Sequence, residues 1–171
     1  MENQIISLPV VALRGLTIMP GMVVHFDISR DASIEAVEAS MNHGEQKLFL
    51  VTQKSTETEK PGAEDVFRVG TYATIKQVVK LPKNIFRVLV SGETRGILQE
   101  MQEEKPYLRA KVEIIDDSDY IIPEAMNEPA MERGLREMFV EYAAKSTKMS
   151  KEQVAQITNV KGLKKTMDEI A

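Results

Sequence analysis

The sequence predicts an α+β chain: an antiparallel, closed or semi-closed barrel with one packed helix, followed by a partial helical bundle. Three patterns predict it. Up to about residue 120 the apolar stretches are short, β-branched or alternating, as strands are. A single helical stripe interrupts them, so the βα alternation of a doubly wound parallel sheet is missing. From Ala130 onward the apolar residues recur at helical spacing. Short connections favour antiparallel pairing, and closure hides the sheet edges. The expected division is a barrel over 1–118 and a helical subdomain over 119–171.

Each element has its own reason. Leu8–Leu13 is apolar, with Pro9 at its start, where a strand tolerates proline. Pro20-Gly21 marks a tight turn, and Met22–Ile28 then alternates, with Val24, Phe26 and Ile28 on one face. Asp31 is placed to cap a helix over 32–43 in which Ile34, Val37 and Met41 share a face, and Gly44 closes it. Leu48–Val51 suits a strand buried on both sides. Gln53–Asp65 is polar, contains Pro61-Gly62 and is expected to be the most mobile internal segment. Val66–Lys80 and Ile85–Ser91 read as a hairpin across Leu81–Asn84. Gly92 and Gly96 bracket a bulge or bend before a weaker strand, Ile97–Met101. In Tyr107–Ile115, Leu108, Ala110, Val112 and Ile114 face inward.

Asp116–Met126 is a linker. Beyond it Met131, Leu135, Met138, Phe139 and Tyr142 form one helical stripe, with Gly134 inside it held small for close packing. Ser150 and Gln153 make a capping box that starts a short helix with Val154 and Ile157 inward. Leu163, Met167 and Ile170 begin a third stripe that stops at the chain end, the pattern expected of a piece of a longer protein.

The composition excludes much chemistry. There is no cysteine, hence no disulfide framework, thiolate metal site or cysteine nucleophile. A net charge of −4 gives no support to polyanion binding. No apolar run approaches the roughly 20 residues of a membrane span, and Met1-Glu2-Asn3-Gln4 is not a signal peptide; a cytoplasmic protein is expected. No GxxxxGK[ST], GxGxxG or GxSxG motif occurs. His25 and His43 lack a carboxylate cluster at metal spacing, and Lys54-Ser55 and Lys145-Ser146 lie in polar surroundings that would not desolvate a lysine base. No catalytic, cofactor or metal residue is assigned. Arg87, Arg95 and Arg109 suggest a small basic face, but pairing with Glu93 and Glu113 is the favoured reading.

Methionine repacks against varied partners, so exposed methionines suit promiscuous apolar recognition. Met131, Met138 and Met167, on the helical stripes, are expected to be core filler. Met19 and Met22, flanking Pro20-Gly21, are the candidate substrate-binding residues.

The run Leu8-Pro9-Val10-Val11-Ala12-Leu13-Arg14-Gly15, followed by Met19-Pro20-Gly21-Met22-Val23-Val24, resembles the opening of the Lon protease N-terminal domain. The helix at 31–43, the apolar strand at 47–53, Val66–Thr71 with Ala73 and Ile75, Gly92-Glu93-Thr94-Arg95-Gly96 and Tyr107–Ile115 are similar to its later parts, in the same order. The resemblance implies a PUA-like pseudo-barrel with a helical bundle. It also implies that the chain belongs to a hexameric, cytoplasmic, ATP-dependent serine protease that degrades misfolded and selected regulatory proteins in quality control and stress. ATP, magnesium and a serine–lysine dyad would belong to that parent and not to these residues. This part would bind unfolded or degron-bearing proteins and support ring assembly, with a dimer as one form open to it alone. Two other readings stand beside it: a stand-alone Lon-like domain, and an RNA-binding PUA-like barrel.

Overall fold

A computed structural model of the protein describes residues 4–42, 45–103, 105–115, 123 and 126–171. The chain forms two compact units, Met1–Asp119 and Tyr120–Ala171.

The first unit is a six-stranded sheet with one helix. Its strands are β1 (Ile5–Leu13), β2 (Val23–Ile28), β3 (Lys47–Thr52), β4 (Val69–Leu81), β5 (Ile85–Glu103) and β6 (Arg109–Ile114), and α1 (Asp31–Asn42) lies between β2 and β3. The order is β2-β5-β4-β3-β1-β6, and β6 pairs back onto β5. One edge of β5 carries β2 along Phe86–Ser91 and β6 along Gly96–Glu103, while β4 runs along the other. Strands β5, β4, β3, β1 and β6 therefore close a ring, with β2 appended.

Two sequence expectations change here. The sheet is mixed, because β1 and β3 pair in parallel with Val10 opposite Phe49. The chain between them runs through β2 and α1, and that crossover delivers β3 in the direction of β1. Ile85–Ser91 and Ile97–Met101 are one strand, β5, and the glycines between them do not end it. They mark a bulge, since Tyr72 opposes Thr94 and Ala73 opposes Gly92, leaving Glu93 unopposed. Smaller shifts occur at other ends. β1 begins at Ile5, so Pro9 lies within it, at the last residue paired with β6 and just before pairing with β3 begins. Asp31 is the first residue of α1 rather than its cap. His43 and Gly44 lie outside the described residues.

Two cores follow from the pleat. Val10 and Ala12 of β1, with Phe49 and Val51 of β3, join Leu98, Ala110 and Val112 inside the ring. The alternate residues Val11, Leu13, Leu48 and Leu50 face Ile34 and Val37 of α1 and, beside them, Phe86, Val88 and Val90 of β5. β3 is thus buried on both sides. The Phe49 ring is fully buried, and it passes so close to the Gly70–Gly96 pair that a Cβ at either position would fall 2.7 or 3.1 Å from a ring carbon. Removing a buried phenylalanine side chain costs about 3–5 kcal/mol.

The polar segment after β3 is tied down rather than loose. Gln53 is 3% exposed; its Nε2 donates to the carbonyls of Ser55 (3.1 Å) and Thr58 (2.9 Å), and its Oε1 accepts from Arg30 (2.7 Å). Backbone hydrogen bonds from Lys54 to Asp65 and from Phe67 to Thr52 close its neck.

The second unit holds α2 (Glu128–Lys145), α3 (Lys151–Thr158) and α4 (Leu163–Ile170). The capping box forms as the sequence predicts: Gln153 N–H donates to Ser150 Oγ (3.2 Å) and Ser150 N–H to Gln153 Oε1 (2.9 Å). Arg136 joins α2 to the α3–α4 connection by donating to the Val160 carbonyl and to Glu132, which also accepts from Gly162 N–H at 2.9 Å. The buried residues are Phe139, Ala143, Leu163 and Thr166. Met131 (45% exposed), Met138 (70%) and Met167 (53%) are not core filler, and a Cβ on Gly134 would meet nothing within 4 Å. The buried face of α2 is rotated past the methionines onto Phe139 and Ala143, a choice that apolar spacing alone does not make.

Candidate functional site

Met19 and Met22 stand at the two ends of a turn. The N–H of Met22 donates to the Met19 carbonyl at 3.2 Å, and Gly21 has φ +85°. Proline at the second position and a glycine of positive φ at the third are the type II signature. The N–H of Met19 also donates to Met22 Sδ at 3.2 Å, which folds one methionine back over the turn.

The turn is fixed to the barrel on three sides. Gly21 N–H donates to the Gly92 carbonyl (2.9 Å), and Gly92 N–H donates to the Met22 carbonyl (2.8 Å). Thr71 Oγ1 donates to the Ile18 carbonyl at 2.5 Å. The approach at Gly92 is close: a Cβ there would sit 2.5 Å from the Met19 carbonyl oxygen. Gly92 and Thr71 therefore hold the turn that carries the candidate residues, and sequence reasoning reached neither as its partner. Gly92 registers in sequence as a bend, but its partner lies about seventy residues away in the chain and only the fold brings it there.

On this base Met22 is 37% and Val23 65% exposed, while Met19 and Pro20 are half-buried. The outcome is a small apolar surface on a backbone that cannot relax away from it. Of the two predicted residues, Met22 is presented and Met19 mainly supports.

Below the turn, Glu93 bulges out of β5 and takes hydrogen bonds from Thr74 and from Lys47 Nζ (2.9 and 3.0 Å), and Lys47 lies 4.9 Å from the centre of the Tyr72 ring. Burial pushes the Glu93 carboxyl up, but those hydrogen bonds and the charges of Lys47 and Lys76 overcome it and leave the group below the usual glutamate range. The cluster pins β3, β4 and β5 together at the bulge.

The remaining candidates disperse. His25 is exposed on β2. Ser55 Oγ accepts from Glu57 N–H, and Lys145 pairs with Glu141 at 2.7 Å. Arg87 pairs with Asp27 (2.7 Å) and not with Glu93, and Arg109 Nε donates to Ser7 Oγ (3.0 Å). Among the described residues no group of three histidine or acidic side chains is placed to hold a metal. No helix among them is long and apolar enough to cross a membrane.

Residues 7–171 match the family model of the ATP-dependent protease La (LON) substrate-binding domain. The chain is 43% identical over 165 residues to the Lon protease of Lachnoclostridium phytofermentans, covering 96% of this chain and 20% of that protein. To Lon protease 1 of Bacillus subtilis it is 35% identical over 165 residues, covering 96% and 21%. The chain thus spans about one fifth of the length of these curated relatives. In fold it is similar to the N-terminal domain of the Mycobacterium avium complex Lon protease, with TM-score 0.59 and 15% identity over 96% of this chain and 95% of that one. A Lon N-terminal domain protein from Xanthomonas campestris gives TM-score 0.54 at 14% identity over 96% of each chain. By fold, and by a family match that takes in both units, this chain belongs to the Lon protease substrate-binding domain family.

Proposed function

We propose that the chain binds exposed apolar segments of unfolded or degron-bearing proteins at the Met19–Val23 turn. In this reading it is the recognition and ring-assembly part of a cytoplasmic, hexameric, ATP-dependent serine protease. The observation that carries it is an apolar surface, Met22 and Val23, on a turn held by two hydrogen bonds to Gly92. A rigid base lowers the entropy lost on binding, and a methionine adapts to unrelated side chains. ATP, magnesium and the serine–lysine dyad would reside in parts of the parent outside these residues, which lack a GxxxxGK[ST] loop. An RNA-binding reading is not favoured, because Arg87 is taken up by Asp27.

The test is binding of a permanently unfolded, fluorescent protein to the chain and to a Met22→Ser, Val23→Thr double variant. Both side chains are exposed, so the melting temperature should stay put while affinity falls at least about five-fold, roughly 1 kcal/mol. Full-strength binding by a normally folded double variant would remove the turn from the site.

A further inference from the structure

A second feature lies away from the turn. A cavity of about 790 Å³ opens between the end of β1, the start of α1, the segment 59–65 and the connection leading into β6. Its accessible apolar lining is Ala32, Pro61 and Pro106, while Val10, Ala12 and Leu108 border it with at most 6% of their surface exposed; Arg14 and Arg30 both line it.

The two arginines are unusual in what they bind. Arg30 donates to Gln53 Oε1 and to the carbonyls of Ala12 and Glu59; Arg14 donates to the carbonyl of Thr58. All these partners are neutral, and among the described residues neither arginine forms an ion pair. Asp31, Glu59 and Asp65 border the cavity, but Asp65 is occupied with Gly62 N–H (2.9 Å) and none of the three pairs with an arginine. Arg30 is partly desolvated and feels the like charge of Arg14, and both effects press its affinity for a proton down. The lining carries four cations, Arg14, Arg30, Lys60 and Lys105, against three carboxylates, Asp31, Glu59 and Asp65, and the two arginines bond only neutral groups among the described residues; a carboxylate, which a guanidinium binds through paired hydrogen bonds, matches them.

The backbone adds a direction. The register of β6 on β1 ends at Pro9–Arg109, and Val10 N–H still reaches the Leu108 carbonyl. Beyond that point no strand among the described residues covers this edge of β1, and the Ala12 carbonyl is met by a guanidinium instead. An extended chain has room to lie there.

We propose that this cavity captures the C-terminal end of a peptide, its terminal carboxylate on Arg14 and Arg30 and its last, apolar side chain against Ala32, Pro61 and Pro106. The site is independent of the Met19–Val23 turn and stands or falls separately from it.

The experiment uses one fluorescent hexapeptide ending in leucine in three forms: free acid, C-terminal amide, and amide with an aspartate placed internally. Binding is read by anisotropy, with backbone NMR shifts locating the site. The free acid should bind, shift Ala12, Arg30 and Leu108, and lose at least about ten-fold in affinity on amidation. Arg14→Gln, at an exposed side chain, should weaken the acid about ten-fold and leave the amide unchanged, whereas the Met22→Ser, Val23→Thr variant should bind the acid normally. Equal binding of acid and amide overturns the proposal, as does no binding of the acid at millimolar peptide. Recovery of full affinity by the internal aspartate would also overturn it, showing an acidic side chain to be the ligand. The acid–amide comparison is made on the unaltered protein, so it decides the matter even if a variant misfolds.

Discussion

Replacing Gly92 by alanine tests the tie between barrel and turn. The new methyl carbon would lie 2.5 Å from the Met19 carbonyl oxygen, 3.3 Å from the Met19 carbonyl carbon and 3.2 Å from Thr71 Cγ2. The nearest obstacle is backbone, so no rotamer change relieves it, and the turn must lift by roughly half an ångström or more to restore ordinary contact. Lifting strains or breaks the two hydrogen bonds between Gly92 and the turn. At about 0.5–1.5 kcal/mol net for each, the cost is about 1–3 kcal/mol. For a chain of this size that is a fall in melting temperature of roughly 2–12 °C. Hydrogen exchange should show the same event locally, with the amide of Gly21 losing protection while the ring residues Phe49 and Val112 keep theirs. Unfolded-protein binding should weaken, because Met22 and Val23 would sit on a mobile base. A Gly92→Ala protein that melts within about 1 °C of the parent and still protects Gly21 would show that the turn is not held as described.

Three other outcomes follow from the same coordinates. Gly134→Ala should stabilise α2 by about 1 kcal/mol, since the added methyl meets nothing and glycine is a poor helix former; a lower melting temperature would contradict that. Gln53→Ala should cost about 1–3 kcal/mol and make 54–65 the first segment cut in limited proteolysis, because the carbonyls of Ser55 and Thr58 lose their buried donor; an unchanged cleavage pattern would count against the anchor. Glu93 is held below its ordinary value, so its contribution is present above the unfolded value of about 4.3 and is lost as pH falls through the folded one. The melting-temperature gap between the parent and Glu93→Gln should therefore narrow from about pH 6 to about pH 3, and a constant gap would refute the sign.

Much of the fold was legible in the residues themselves. Alternation in Met22–Ile28 and Tyr107–Ile115, the apolar run Leu48–Val51 and the Ser150–Gln153 box each report a local preference, and local preferences survive folding when tertiary contacts agree with them. The order of motifs carried the family. Pro20-Gly21 showed the turn, because the backbone angles of those two residues are intrinsic. What only the tertiary structure decided involves partners distant in sequence. The parallel β1–β3 pair depends on where the crossover through α1 lands. The continuity of β5 through Gly92 and Gly96 depends on β4 and β6 lying alongside it. The anchored loop depends on Gln53 and Arg30 meeting in the fold. The methionines of α2 were misassigned because periodicity defines a stripe some 100° wide or more, and the neighbouring helices choose which part of it is buried. The placing of Gly92 under Met19, and of Arg14 and Arg30 on one cavity, is likewise invisible to spacing: each is a proximity in space, fixed by the fold and not by any property of the residues alone.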